Sequence, residues 1–339
     1  MKKTWFTIIA IALVLLIVVG VVVYQRNKAS QQEKAVSISE LSSEADETKL
    51  EKILENDGIG KWGFAVSQDR VCYATEDMSI RRFILESKKD EKVFSPLLKF
   101  DAVKVAALGQ NCLVEYFGRD KNLLYLIDSS GKADLLEYVP TAPIEVKLEY
   151  FVVPTAEEIV ILDTQGSLVE KIANKEGNIF AIAPIAPQDY FAVFNYDEQM
   201  KVGNLGLIEG GKQKFTKDVQ NAYSLFANSN AALYVYQDGI SLGADLFSVQ
   251  GKLLKKLVNP DPNSIFALPD GFYFVTKPGG AEDASNDGNG IGFVANSGDI
   301  KNIISSVTQT EKQYSFKSVQ RIGNILYVSS GNTVYKISL

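Results

Sequence analysis

LYLIDSSGK at residues 124–132 and IVILDTQGSL at residues 159–168 share one pattern: an apolar run, an aspartate, two polar residues, a glycine, then a restart. Aspartate accepts hydrogen bonds from the backbone two residues on, and glycine adopts the positive φ that a tight hairpin requires. Each stretch therefore reads as two antiparallel β-strands joined by a short turn. Weaker copies follow as GLIEGGK at 206–212, DLFSVQGKLL at 245–254 and IGFVANSGDI at 291–300.

With the turn glycine as marker, Gly131, Gly166, Gly211, Gly251 and Gly298 are spaced by 35, 45, 40 and 47 residues, and Gly331 extends the series by 33. The first unit would turn near Ser87 to Asp90. Upstream of the turns lie further apolar strands, at 103–108, 191–194, 232–236, 272–275 and 325–328. Their alternating aromatic and β-branched residues suit the core of a sheet. A period of about 40 residues carrying three or four strands is that of a β-propeller blade, which buries both faces by stacking on its neighbours. The expected fold is all-β, a propeller of about seven blades over residues 61–339, with six or eight also fitting the length. The rival architecture is a pair of tandem β-sandwiches.

These hairpins resemble those of bacterial β-propellers of the quinoprotein-like and WD40-like repeat groups. The resemblance covers residues 62–339 and is one of period and turn type. It implies a repeat-built ring and no particular chemistry.

Residues 5–24, WFTIIAIALVLLIVVGVVVY, contain no charge. As a helix they would cover the ~30 Å hydrocarbon core of a bilayer. Lys2 and Lys3 precede the run, Arg26 and Lys28 follow it, and Trp5 and Tyr24 stand at its ends, where amphipathic rings favour the headgroup region. Because the run exceeds a signal-peptide core and no small-x-small site follows it, an uncleaved anchor is expected. Residues 1–4 would stay in the cytoplasm as a tail, 5–24 would span, and the rest would be periplasmic or extracellular. Residues 25–60 read as a polar linker with a short helix, since Leu50, Ile53 and Leu54 fall at helical spacing and Gly58 follows as a stop.

With four of the 35 bases and none of the 41 acids in residues 1–28, residues 29–339 carry a net charge of −10. That sign, with adjacent bases confined to the short pairs Arg81-Arg82, Lys88-Lys89 and Lys255-Lys256, each diluted by apolar or acidic neighbours, argues against nucleic acid as a partner. The three pairs read as solvated strand edges or loops. The chain has no histidine, which removes every Ser-His-Asp or Cys-His arrangement and the commonest metal ligand. Cys72 and Cys112 sit in apolar strand-like runs without a third partner. They read as two buried thiols, a single bridge remaining open to an exported chain.

Three site readings remain. Asp283, Ser285, Asp287 and Asn289 place oxygen ligands at alternate positions around Gly288, as in the first half of a calcium loop, so calcium is the one cofactor weighed. Carboxylate pairs would permit glycoside hydrolysis without histidine. Asp128 and Asp163 occupy turns, however, and Glu157-Glu158 and Asp197-Glu198 read as edge charges. The remaining reading is the leading one: a membrane-tethered scaffold or envelope-complex subunit that binds other proteins, with no catalytic residue assigned. For ring closure, the last repeat offers three strands, and Ala35 to Ser39 has the alternation to supply a fourth.

Overall fold

The aspartate-glycine turns form as their residue types dictate. The Asp128 Oδ1 accepts from the amides of Ser130 at 2.8 Å and Lys132 at 3.0 Å, and the Asp163 Oδ1 from those of Gln165 and Ser167, both at 2.8 Å. Gly131 and Gly166 take φ of 89° and 75°, a left-handed conformation that disfavours side-chain-bearing residues. Gly166 also leaves room for the neighbouring blade, since a Cβ there would lie 2.8 Å from the Leu126 Cδ2.

The computed structural model of the chain describes residues 36–37 and 50–339, apart from residues 120, 142–143, 148–149, 174–178, 187, 259, 277–289 and 305–315. A two-residue strand β1 (Val36–Ser37), strand β2 (Glu51–Glu55) and helix α1 (Asp57–Trp62) precede the repeats. Blade 1 comprises β3 (Phe64–Ser67), β4 (Arg70–Ala74), β5 (Ile80–Ile84) and β6 (Asp90–Phe94). Blade 2 comprises β7 (Ala102–Leu108), β8 (Asn111–Phe117), β9 (Leu123–Ile127) and β10 (Ala133–Leu135). Blade 3 comprises β11 (Glu145–Lys147), β12 (Tyr150–Pro154), β13 (Glu158–Leu162) and β14 (Leu168–Ala173). Blade 4 comprises β15 (Ile179–Ala186), β16 (Asp189–Asp197), β17 (Val202–Glu209) and β18 (Lys212–Gln220). Blade 5 contains β19 (Ala222–Ala227), β20 (Ala231–Asp238), β21 (Ser241–Ser248) and β22 (Leu253–Val258). Blade 6 comprises β23 (Phe266–Leu268), β24 (Gly271–Thr276), β25 (Gly290–Ala295) and β26 (Ile300–Ile304). Blade 7 combines β27 (Phe316–Ile322), β28 (Ile325–Ser330) and β29 (Thr333–Ser338) with β2 from the start of the ring.

Each blade is an antiparallel meander, and seven buried clusters fill the seven seams between successive blades. The seam between blades 7 and 1 is closed like the others, by Leu54, Ile59, Phe64, Val71, Tyr327 and Val334. A closed ring of shared seams excludes the tandem sandwiches, in which two separate cores would form. In blades 1, 3, 4, 5, 6 and 7 the pairing of the third strand with the fourth shifts register once. Such bulges increase local twist, which suits the splay of a blade from the axis outward.

Five expectations are corrected. The segment at 50–54 forms strand β2 rather than a helix, and the ring begins there, inside the stretch assigned to the linker. It pairs antiparallel with β29, Glu51 opposite Lys336 and Glu55 opposite Thr333, because the open edge of β29 offers unpaired backbone groups that outweigh a weak helical stripe. The closing strand is therefore 51–55 and not 35–39. Gly331 turns between β28 and β29, a different hairpin from that of the other marker glycines, since the fourth strand of blade 7 comes from the other end of the chain. Cys72 and Cys112 are joined in a disulfide between blades 1 and 2, with Cα atoms 6.3 Å apart. Finally, Arg82 is buried rather than solvated, for a reason given below.

No helix among the described residues is long and apolar enough to cross a membrane. The expected span at 5–24, the tail at 1–4 and most of the linker lie outside the described residues.

Candidate functional site

Meander topology sorts the loops onto two faces. In every blade strands one and three begin, and strands two and four end, on one side, here termed the connector face. The turns between strands one and two and between strands three and four emerge on the other, the hairpin face. All seven inner strands consequently run in the same direction around a central channel.

The channel holds a cavity of about 1380 Å³, bounded largely by the inner strands. Its wall is predominantly apolar and aromatic, with Val105, Val146, Ile182, Phe226 and Phe266 among the lining residues. Several of its polar side chains join blades to one another. Gln320 bridges blades 7 and 1, its Oε1 accepting from the Val66 amide at 2.6 Å and its Nε2 donating to the Phe64 carbonyl at 3.1 Å. Ser67 donates to the Gly109 carbonyl of blade 2 at 2.5 Å. Arg321 donates to Asp270 at 3.0 Å and to the Tyr273 hydroxyl at 2.9 Å, tying blade 7 to blade 6. Among the described lining residues, Glu145 is the one carboxylate, whereas a glycoside hydrolase of the two-carboxylate type requires two.

The hairpin face is laced by buried donors that reach the next blade. The Arg82 Nη1 donates to the carbonyls of Asp128 at 3.1 Å and Ser129 at 2.7 Å, while its Nη2 pairs with Glu91 at 2.6 Å. The Asn111 Nδ2 donates to the Thr164 carbonyl at 2.7 Å, and the Asn228 Nδ2 to the Leu268 carbonyl at 2.6 Å and the Asn296 Oδ1 at 2.8 Å. Two of these joints end on the aspartate-glycine turns of blades 2 and 3. The turns thus serve both as hairpins and as acceptors for the preceding blade, which satisfies polar groups that would otherwise be costly to bury. Sequence reasoning missed Arg82, Asn111 and Asn228. Their signal was position, each standing one blade upstream of a turn.

Glu115 on β8 is fully buried. Its Oε2 accepts from the Ile144 amide of the next seam at 3.0 Å, and its Oε1 has no partner. Burial pushes its carboxyl above the ordinary value of 4.5, against the opposing pull of the Ile144 amide and Lys104. The folded state therefore holds this proton more tightly than the unfolded chain. The stabilising contribution is complete below the ordinary carboxylate range and is lost as pH rises through the raised value. Glu115→Gln cannot ionise at any pH and retains an oxygen for the Ile144 amide. The stability difference between variant and parent, measured by urea unfolding, is expected to move in the variant's favour from about pH 4 to pH 7. A difference independent of pH would mean that the carboxyl does not titrate differently on folding.

Of the carboxylates weighed from sequence, Asp128 and Asp163 support turns, Glu158 pairs with Lys171 at 2.6 Å, and Asp197 accepts from the amides of Gln199 and Met200, both at 2.9 Å. No group of three or more metal-capable side chains occurs among the described residues. Asp283, Ser285, Asp287 and Asn289, the expected calcium ligands, lie outside the described residues.

No protein-family model matches the chain, and no curated protein matches it. Solved structures do. A chain of the mitotic checkpoint complex superposes with a TM-score of 0.57 at 11% identity, covering 90% of this chain and 97% of that one. Virginiamycin B lyase from Staphylococcus aureus gives 0.54 at 14% identity, over 86% of this chain and 100% of the enzyme. BamB from Moraxella catarrhalis gives 0.50 at 13% identity, again over 86% and 100%. The shared feature is the propeller fold. At these identities the likeness is one of fold, which hosts enzymes and binding proteins alike.

Proposed function

We propose that this chain is a protein-binding scaffold: a propeller tethered to a membrane by residues 5–24, held outside the cytoplasm and working as a subunit of an envelope complex. The observation that carries the scaffold reading is the division of labour between the two faces. The buried side chains of Arg82, Asn111 and Asn228 are committed to joints between blades, whereas five exposed large apolar residues stand in the loops of the connector face. Exposed apolar side chains in loops on a rigid frame are the usual material of protein interfaces. The fold likeness to a chain of an assembly, the mitotic checkpoint complex, is consistent with that use.

The placement outside the cytoplasm draws support from the Cys72–Cys112 disulfide, because such bonds persist in oxidising compartments and are rare where glutathione keeps thiols reduced. It agrees with the translocated side expected from the uncharged run at 5–24.

Protease added to intact spheroplasts is expected to digest the propeller, and protection until lysis would overturn the topology. Extraction in mild detergent followed by size-exclusion chromatography is expected to give a stoichiometric assembly with at least one other protein. A monodisperse lone chain under conditions that preserve other envelope complexes would overturn the scaffold reading.

A further inference from the structure

The exposed large hydrophobic residues are unevenly distributed over the ring. Leu97 (102% exposed) and Leu98 lie in the connector from blade 1 to blade 2, and Val139 in that from blade 2 to blade 3. Met200 (69%) and Ile240 (88%) tip the loops between strands two and three of blades 4 and 5. All five belong to the connector face. Leu168, at the start of β14, and Leu339, after β29, are the counterparts on the hairpin side.

Carboxylates accompany these residues. Glu137 precedes Val139, Asp197 and Glu198 precede Met200, and Asp238 precedes Ile240. Beside Leu97 and Leu98 the link is through space: Ser95 hydrogen-bonds Ser79 at 3.1 Å, which joins this connector to the loop carrying Glu76 and Asp77. Asp77 is held below the ordinary carboxylate range, chiefly by hydrogen bonds from Thr75 and the Ser79 amide, and so stays ionised at neutral pH. Lys99 and Lys201 lie within two residues of these apolar tips, and Arg119 and Lys121 stand in the loop of blade 2 that adjoins the Leu97–Leu98 connector; the six acids outnumber these four bases.

Resting on the scaffold reading above, we propose that the connector face docks a segment of a partner protein whose apolar side chains are flanked by lysine or arginine, with Leu97 and Leu98 as principal apolar contacts. Exposed apolar side chains favour an apolar contact surface, and a rim dominated by carboxylates selects cationic flanks and repels acidic ones. The same rim disfavours two alternative occupants. A second copy of this chain would bring carboxylates against carboxylates, and an anionic lipid surface would be repelled likewise.

A random 12-residue peptide library displayed on phage, panned against the full chain in detergent, supplies the probe. Selected peptides are expected to combine leucine, isoleucine or phenylalanine with lysine or arginine. By fluorescence polarisation, the tightest selected peptide should bind the double variant Leu97→Asp, Leu98→Asp at least tenfold more weakly. Glu76→Lys should weaken it severalfold, and Leu168→Asp should leave it within twofold of the parent. Unchanged thermal midpoints verify that the variants remain folded, as expected for side chains so exposed. Selected peptides that are acidic, or whose binding ignores the Leu97 and Leu98 variants, would overturn the proposal.

A photo-crosslinking residue placed at 97, 168 or 240 in the chain in its native membrane separates this inference from the reading beneath it. Crosslinks to a different protein from 97 and 240 support both. Crosslinks to another protein from 168 alone would retain a scaffold and sink this surface. Crosslinks from 97 to a second copy or to lipid would also sink it, and no crosslink from any position would remove the scaffold reading as well.

Discussion

Reduction of the Cys72–Cys112 bond is expected to destabilise the ring by about 4 kcal/mol. The bond closes a 40-residue loop, and in the chain-entropy account a loop of that size restricts the unfolded ensemble by about 4 kcal/mol. It joins second strands of successive blades, where both residues are essentially inaccessible to solvent. Reductant therefore has to reach the sulfurs through an opening of the seam between blades 1 and 2, and intact protein is expected to resist mild reduction until it is partly unfolded. Urea unfolding with and without reductant checks the size of the effect. The reduced chain should also expose more surface in its unfolded state, giving a steeper dependence on denaturant. A Cys72→Ala, Cys112→Ala variant should match the reduced parent, with a further loss from the volume it deletes. A change below about 1 kcal/mol would mean that the seam clusters alone hold these blades in register.

The repeat was legible because its decisive residues act locally. Asp128 and Asp163 bond to amides two and four residues on, and the glycines at 131, 166, 211, 251 and 298 all adopt φ between 74° and 92°. The blade seams were legible only as apolar strands, since nothing in a single strand states which blade it will face. Arg82 illustrates the loss. Beside Arg81 it looks like a solvated basic pair, and its burial follows from the turn carbonyls of a blade more than forty residues away. The cysteine pairing did leave a trace: a separation of 40 residues is one repeat, which puts both cysteines on equivalent strands of neighbouring blades. The segment at 50–54 misled because Leu50, Ile53 and Leu54 fit a helical stripe, while the edge of β29 that recruits it lies at the opposite end of the chain. The connector face was the least legible feature, because exposure of a loop leucine is decided by tertiary placement alone.

Ring closure by β2 yields the largest mutational effect expected for this chain. A protein beginning at residue 50 should retain the full stability of the ring, whereas one beginning at Asn56 should lose cooperative folding. The difference is confined to a few residues that contribute in three ways. Leu54 is 9% exposed and packs in the seam between blades 7 and 1, where burial of a leucine contributes roughly 2 kcal/mol. The ladder with β29 supplies backbone hydrogen bonds, each a net contribution of about 1 kcal/mol. Glu51 pairs with Lys336 at 3.0 Å on the exposed rim, a minor contribution. Together they amount to about 5 kcal/mol, comparable with the whole stability of many domains. Loss of β2 would also leave β29 as an unpaired edge, open to pairing between chains. The shorter protein should therefore aggregate or show a broad, non-cooperative thermal transition by circular dichroism, while the longer one melts sharply. A Leu54→Asp substitution in the full chain should lower the thermal midpoint without abolishing folding, since the backbone ladder survives it. Equal midpoints for proteins beginning at 50 and at 56 would show that three strands suffice to close blade 7.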